Sequence, residues 1–338
     1  METELVKVGK NINNNFEITK AANLLKKGEV VVFPTETVYG LGANAFNEIA
    51  VAKIFQAKNR PADNPTIVHI SSIEQLNQVV TKVPKKAIKL IKEFWPGPLT
   101  LVLQKSANIP NNVTAGLSSV AVRMPSHPVA LALIKECNFP IAAPSANTST
   151  RPSPTCAKHA FDDLKERVPL VIDAGSCEHG LESTVISLLE EKPVLLRPGA
   201  ITIEQIERVI GKINVTKQKS AKNMADKPLS PGMKYKHYSP KAQVILVIPK
   251  KGASFVQKVF ESDIDKLNIG VISFSKKIGV EKEYFFDKSL PLYARELFAS
   301  FRELDAIGVE AIFVEGVEEK GLGLAIMNRL KKASSKII

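Results

Sequence analysis

Short apolar runs in the first 200 residues stop at clusters mixing hydroxyls, cations, proline and glycine, and this alternation constrains the fold more than any other feature of the chain. The clusters read Pro34-Thr35-Glu36-Thr37-Val38-Tyr39-Gly40-Leu41-Gly42, Lys58-Asn59-Arg60-Pro61, Pro144-Ser145-Ala146-Asn147 and Glu182-Ser183-Thr184. β-Branched runs closed by such residues read as strands with loops at their tips. Strand ends are where open α/β sheets place ligands. Two cations, several hydroxyls and pliant backbone in those places suit a polyphosphate held beside a small polar substrate.

Periodicity predicts helices over 17–27, 49–57, 87–94, 128–137 and 203–210, where apolar residues recur at helical spacing. Strands are predicted over 29–33, 66–70, 99–103, 120–124, 141–143, 170–173, 184–188 and 194–196. Strands and helices mix without strict alternation, so the expected fold is α/β, with a large twisted mixed sheet ending near residue 212. Residues 213–241 read as a basic linker. A regular β-α-β-α order then begins, with strands over 244–248, 269–274 and 311–315 and helices over 255–260, 290–304 and 324–333. That order predicts a smaller parallel-sheet domain over 242–338.

The chain has 338 residues and a net charge of +12. Residues 211–241 hold eight lysines against one acid, Asp226, a surplus of seven that supplies more than half of the total. A run of this kind reads either as a solvated linker or as a segment that closes over an anionic ligand. No apolar run reaches the roughly 18 residues of a membrane span. Residues 1–15 lack the basic start and apolar core of a secretory signal. The three cysteines contain no CxxC pair, and the expected location is a reducing cytoplasm.

Several generic readings fail on spacing. Gly40-Leu41-Gly42-Ala43-Asn44-Ala45 matches G-x-G-x-x-A, but residues 34–39 separate it from the preceding strand, where a dinucleotide fingerprint would abut it. Its glycines fit better with backbone passing close to a ligand or a neighbouring strand. G-x-x-x-x-G-K-[ST] and G-x-S-x-G are both absent, against a P-loop and a nucleophile elbow. Cys177-Glu178-His179 has no further ligands at metal-like spacing, and no metal site is predicted. Thr35 and Thr37 face one side of an extended stretch, as ligand hydroxyls or as turn chemistry after Pro34. Lys58 and Arg60 suit phosphates, or form a solvated helix end favoured by the macrodipole. His69 on a strand reads first as a satisfied core residue.

The ordered set Phe33–Gly42, Lys58–Pro61, Trp95-Pro96-Gly97-Pro98-Leu99-Thr100, Val122-Arg123-Met124-Pro125 and Ala143–Asn147 resembles the YrdC-like threonylcarbamoyl-AMP synthases. The stretch Pro231-Gly232-Met233-Lys234-Tyr235-Lys236-His237-Tyr238-Ser239-Pro240 and the domain after it resemble the longer, two-domain branch, whose added domain is Rossmann-like. The resemblance implies that L-threonine, bicarbonate and ATP give threonylcarbamoyl-AMP and diphosphate. The product would pass to a transferase complex that modifies the adenosine beside the tRNA anticodon. It also implies that threonine meets Thr37, His69, Arg123, the backbone of Ala143, and Ser183. ATP would meet Arg60, Asn64, Ser119, Ser145, Ser153, Arg197 and Tyr235. Lys58 and Arg60 would stabilise charge on the triphosphate, with Mg²⁺ riding on ATP. Tyr235 would make the basic segment a lid. The competing expectation is a double-stranded RNA or tRNA-binding module without catalysis, against which stands the 6% aromatic content. A carbamoyltransferase with zinc-finger segments is disfavoured by the missing CxxC pair.

Overall fold

The computed structural model describes residues 2–9, 12, 15–216, 238–248, 255–260 and 268–338. In chain order its first part contains β1 (Glu4–Lys7), α1 (Phe16–Lys26), β2 (Val31–Phe33), β3 (Gly40–Asn44), α2 (Glu48–Lys58), β4 (Ile67–His69), α3 (Ile73–Val79) and α4 (Lys85–Phe94). It continues with β5 (Leu99–Gln104), β6 (Ser119–Arg123), α5 (Pro128–Cys137), β7 (Ile141–Ala143), α6 (Ala157–Leu164), β8 (Leu170–Asp173), β9 (Thr184–Ser187), β10 (Val194–Arg197), α7 (Ile203–Ile210) and β11 (Asn214–Val215). Among the described residues these strands form one eleven-stranded sheet, ordered β1-β8-β2-β3-β7-β4-β6-β5-β9-β10-β11. The sheet is mixed: β4 runs parallel to β6, while β7 and β5 run antiparallel to their neighbours β4 and β6.

The second part holds β12 (Gln243–Val247), α8 (Phe255–Phe260), β13 (Ile269–Ser273), β14 (Glu283–Phe285), α9 (Leu290–Ala306), β15 (Ala311–Glu315), α10 (Leu322–Ala333) and β16 (Lys336–Ile337). Its sheet is ordered β14-β13-β15-β12-β16, and every pairing is parallel. The expected α/β architecture with two sheets is therefore present.

Side-chain alternation along the strands decides what each face meets. Val30 and Val32 join the core with Ala50 and Ile54 of α2, Leu76 of α3, Leu90 of α4, Ala160 of α6 and Ile206 of α7. Val31 and Phe33 point the other way, into a core with Ile18 and Leu25 of α1 and Leu133 of α5. That second layer of helices covers one part of its face. Farther along, Ile67, Val102, Ala121 and Val185 form a separate small apolar cluster. The polar residues two positions along from these four occupy the same face, and a cavity is built there.

Capping follows the local sequence. The Asn15 side chain accepts from the Glu17 and Ile18 amides, Asn47 caps α2 through the Ala50 amide, and Thr202 with Gln205 completes a capping box on α7. Helix α2 ends at Asn59 in the left-handed conformation, with φ of 50°.

Sequence patterning did not predict β1, β3, α3, α6, β11, β14 or β16. Strand β3 shows why. Gly40-Leu41-Gly42-Ala43-Asn44 reads as a loop, and it becomes a strand by pairing with β2 on one side and β7 on the other. Its glycines serve that packing. A Cβ on Gly42 would stand 2.7 Å from Ile141 Cγ2 and 2.8 Å from the Phe33 ring. Gly42→Ala is expected to destabilise the fold by about 1–3 kcal/mol, as overpacking does. Urea unfolding checks this, and an unchanged midpoint would contradict so close an approach.

Candidate functional site

One cavity opens where β4, β6, β7 and the loops 34–40, 144–153 and 182–183 converge. His69 lies two positions from Ile67 on β4, and Arg123 two from Ala121 on β6. Strand register sets His69 directly beside Arg123. Thr100, two positions from Val102, meets Ser183, two from Val185, with their hydroxyl oxygens 2.7 Å apart. Ala143 pairs with Ile67 from the neighbouring strand. Period-two geometry thus gathers residues from four strands and from the loop leading into β9 on one surface.

Arg123 is 3% exposed and forms the centre of the polar wall. Its Nη1 donates to Thr37 Oγ1 at 2.8 Å. Its Nη2 stands 2.7 Å from Glu36 Oε1 as an ion pair. Those two atoms nevertheless lack hydrogen-bond alignment, and Arg123 Nε has no acceptor. A buried guanidinium with unused donors is a place for a carboxylate. The Thr37 hydroxyl lies 2.8 Å from that of Thr35. Thr35 accepts from the Thr37 and Val38 amides and donates to Val38 O at 2.6 Å. Thr35 therefore performs turn chemistry and lines the cavity at once.

His69 is buried, packs edge-on against Phe33, and sets Nδ1 3.2 Å from Ile67 O. Burial, reinforced by the Arg123 charge, pulls its pKa down to about 3 despite opposing carbonyls of Ile67 and Ile141. The ring is thus neutral at physiological pH.

Lys58 corrects the reading of a solvated helix end. It is 1% exposed, and its ammonium donates to the carbonyls of Ser145 and Asn147, pinning that loop. Burial, then the neighbouring Arg60, draws its pKa well below the ordinary lysine range. Arg60 donates Nη2 to Asn64 O at 3.2 Å and Pro65 O at 2.9 Å and reaches the cavity wall. Ser145 Oγ donates to Asn147 Oδ1. Ser153 Oγ donates to Glu182 Oε1 at 2.5 Å. Arg197, 4% exposed, donates Nε to Ser183 O at 3.1 Å and Nη2 to Ser183 Oγ at 3.2 Å.

The cavity therefore brings together Thr37, Lys58, Arg60, His69, Arg123, Ala143, Ser145, Ser153, Ser183 and Arg197. Two expected residues are not among those lining the cavity. Ser119 begins β6, pairs with Gln104 and stands four residues from Arg123, roughly 13 Å along the strand. Asn64 is buried and is not among the lining residues. Tyr235, and the lid assigned to its segment, lie outside the described residues. Tyr238, three positions on in the same motif, does line the cavity. Ser149, Thr150 and Arg151 join it and were not singled out in the sequence. Their signal is weak, since they form a short polar run following the Pro144–Asn147 cluster.

The wall is cationic, and Glu182 is the carboxylate among its described lining residues. That carboxylate already accepts from Ser153 and Arg329. No group of three His, Cys, Asp or Glu suited to a metal occurs among the described residues. These donors do not fit a protein-held divalent ion. The same wall suits anions, and its fixed donors and neutral imidazole can orient a small zwitterion beside a polyphosphate. No described helix is long and apolar enough to cross a membrane.

Residues 23–199 match the Sua5, YciO and YrdC family model, described as "Telomere recombination". Residues 201–335 match the model described as "Threonylcarbamoyl-AMP synthase, C-terminal domain". The chain is 49% identical over 324 residues to the threonylcarbamoyl-AMP synthase of Pyrococcus abyssi, covering 94% of each chain. It is 48% identical over 329 residues to that of Bacillus subtilis, covering 95% of this chain and 94% of the other. The crystal structure of P. abyssi Sua5 complexed with L-threonine superposes with a TM-score of 0.92 at 46% identity, covering 100% of this chain and 99% of that one.

A histidine held at about 3 in the fold, against 6.5 as the ordinary value, leaves the unfolded chain binding the extra proton between those pH values. Stability is then lost as pH falls below 6.5 toward 3, by up to about 1.4 kcal/mol per unit for this one group. Denaturant unfolding at pH 7, 6, 5 and 4 should show a shallower loss for His69→Gln than for the wild type. Parallel curves would contradict a neutral His69.

Proposed function

This chain belongs to the threonylcarbamoyl-AMP synthase family, and from that premise we propose how its cavity performs the synthesis. The enzyme makes L-threonylcarbamoyl-AMP and diphosphate from L-threonine, bicarbonate and ATP. The observation that carries the site assignment is Arg123, a buried guanidinium on the cavity wall with an Nε that has no acceptor.

In this reading the threonine carboxylate meets Arg123, whose planar donors match it. Thr37, His69, Ser183 and the backbone of Ala143 surround the rest of the amino acid. A neutral His69 places no second cation against the threonine amine. ATP lies along Arg60, Ser145, Ser153 and Arg197, with Lys58 fixing the loop that carries Ser145. Mg²⁺ enters on the ATP phosphates as part of the substrate.

The chemistry proceeds in two steps. The threonine amine and bicarbonate give N-carboxythreonine and water. One anionic carbamate oxygen then attacks the α-phosphorus, forming a P–O bond as the bond to the β-phosphate oxygen breaks and diphosphate leaves with that electron pair. The nucleophile is already anionic, so the protein's contribution is positioning and stabilisation of charge. Water exclusion by the buried walls protects the mixed anhydride. The product then serves a transferase complex acting on the adenosine beside the tRNA anticodon, in the cytoplasm. Buried cations and hydroxyls gathered within one cavity favour a small-molecule site over RNA binding.

Diphosphate release from ATP, with threonine and bicarbonate each supplied or withheld, tests the reading. Release should require both and fail with serine in place of threonine. Release without threonine, or none under any condition, would refute it. Arg123→Lys keeps the charge and loses the two-pronged contact, so the KM for threonine should rise at least tenfold while the KM for ATP changes less. An unchanged threonine KM would remove Arg123 from the amino-acid subsite.

A further inference from the structure

The cavity wall is held from outside its own domain. Arg329, on α10 of the second domain, is the largest fully buried side chain among the described residues. Its Nε donates to Glu182 Oε2 at 2.9 Å, its Nη2 to Glu182 O at 3.3 Å and its Nη1 to Pro198 O at 2.8 Å. The guanidinium carbon lies 5.7 Å from the centroid of the Tyr238 ring. Each of these partners belongs to the wall or adjoins it. Glu182 lines the cavity, accepts from Ser153 with its other oxygen, and precedes Ser183. Pro198 follows Arg197, which itself grips Ser183.

One guanidinium thus ties the 182–183 loop, the end of β10 and Tyr238 to a helix of the other domain. Arg302 of α9 is also buried and binds Asp163 at 2.8 Å and Pro152 O; these adjoin the wall, since Asp163 holds Arg151 and Pro152 lies between Arg151 and Ser153, but neither of them lines the cavity. Arg329 grips a carboxylate that is part of the cavity itself. Burial alone would push the Glu182 carboxyl up. The charges of Arg329 and Arg197 and the Ser153 hydroxyl overcome that and keep it below the ordinary range. Without Arg329, Glu182 would be a buried anion short of its nearest cation, and the loop carrying Ser183 would have to move to solvate it.

We propose that Arg329 is a positioning residue of the synthesis, through which the second domain orders Glu182, Ser183, Ser153 and Arg197 for the substrates. The proposal rests on the reading of this cavity as the synthase site. Wild-type activity tests that reading separately, since a full-length wild type without threonine-dependent diphosphate release would sink the reading before any variant is compared.

The test uses full-length Arg329→Met, Arg329→Lys and the double variant Glu182→Gln/Arg329→Met, with circular dichroism at the assay temperature to confirm folding. Arg329→Met should lower kcat/KM for ATP about tenfold while remaining folded, and the double variant should recover at least threefold, because it no longer leaves a buried carboxylate uncompensated. A role confined to holding the domains together would change the melting temperature without this recovery. A loss smaller than threefold in folded Arg329→Met, or a double variant no better than the single one, overturns the proposal. If Arg329→Met does not fold, Arg329→Lys decides: a loss of threefold or more supports the proposal, and a smaller one overturns it.

Discussion

A buried cation must have its donors matched, and the described residues bury five: Lys58, Arg123, Arg197, Arg302 and Arg329. Each is expensive to remove from water, and removing one partner of a buried pair typically costs about 3–5 kcal/mol. The structure meets this constraint in two ways. Arg302 and Arg329 have carboxylates, Asp163 and Glu182, at 2.8 and 2.9 Å. Lys58 and Arg197 have backbone carbonyls. Arg123 shares Thr37 and Glu36 and still keeps donors in reserve. The positions of loops 144–147 and 182–183 follow from these pairings, because their carbonyls and carboxylates are the acceptors.

The same pairings explain how a sheet face becomes a site. Helices α1 and α5 cover the face over β1, β8, β2 and β7. Beyond their reach, the face carries apolar residues at one level and polar residues two positions along. Loops pinned by buried cations border the polar level, and the burial of its side chains strengthens the electrostatic contacts among them. The second domain packs against the same part of the molecule. It approaches closely enough that a Cβ on Gly180, which sits at φ of +68°, would stand 2.1 Å from Arg295 O.

Much of this was legible in the chain and some was not, for physical reasons. Apolar runs such as Val31–Phe33, Leu99–Gln104 and Ile141–Ala143 carry their own β-propensity, and helix α5 carries its own apolar repeat. The Gly40–Asn44 strand has neither signal, since its conformation comes from neighbours on both sides. Lys58 looked like a solvated helix end because its acceptors, Ser145 O and Asn147 O, are nearly 90 positions away. Arg302 and Arg329 stand inside the apolar stripes of α9 and α10, beside Phe301 and Leu330, and a charge in such a stripe was the available hint of a buried partner.

By itself the sequence determined the elements with strong local periodicity, the two-part α/β organisation, and the residue types gathered at strand ends, because these depend on contacts within a few residues. Tertiary structure alone decided which of those residues share a wall. It set His69 beside Arg123 through strand register, left Ser119 at the far end of the strand that carries Arg123, and brought Arg329 from the second domain onto Glu182. The last of these joins residues 147 positions apart. The stability of such pairings comes from burial and charge matching in the finished fold, which no local pattern encodes.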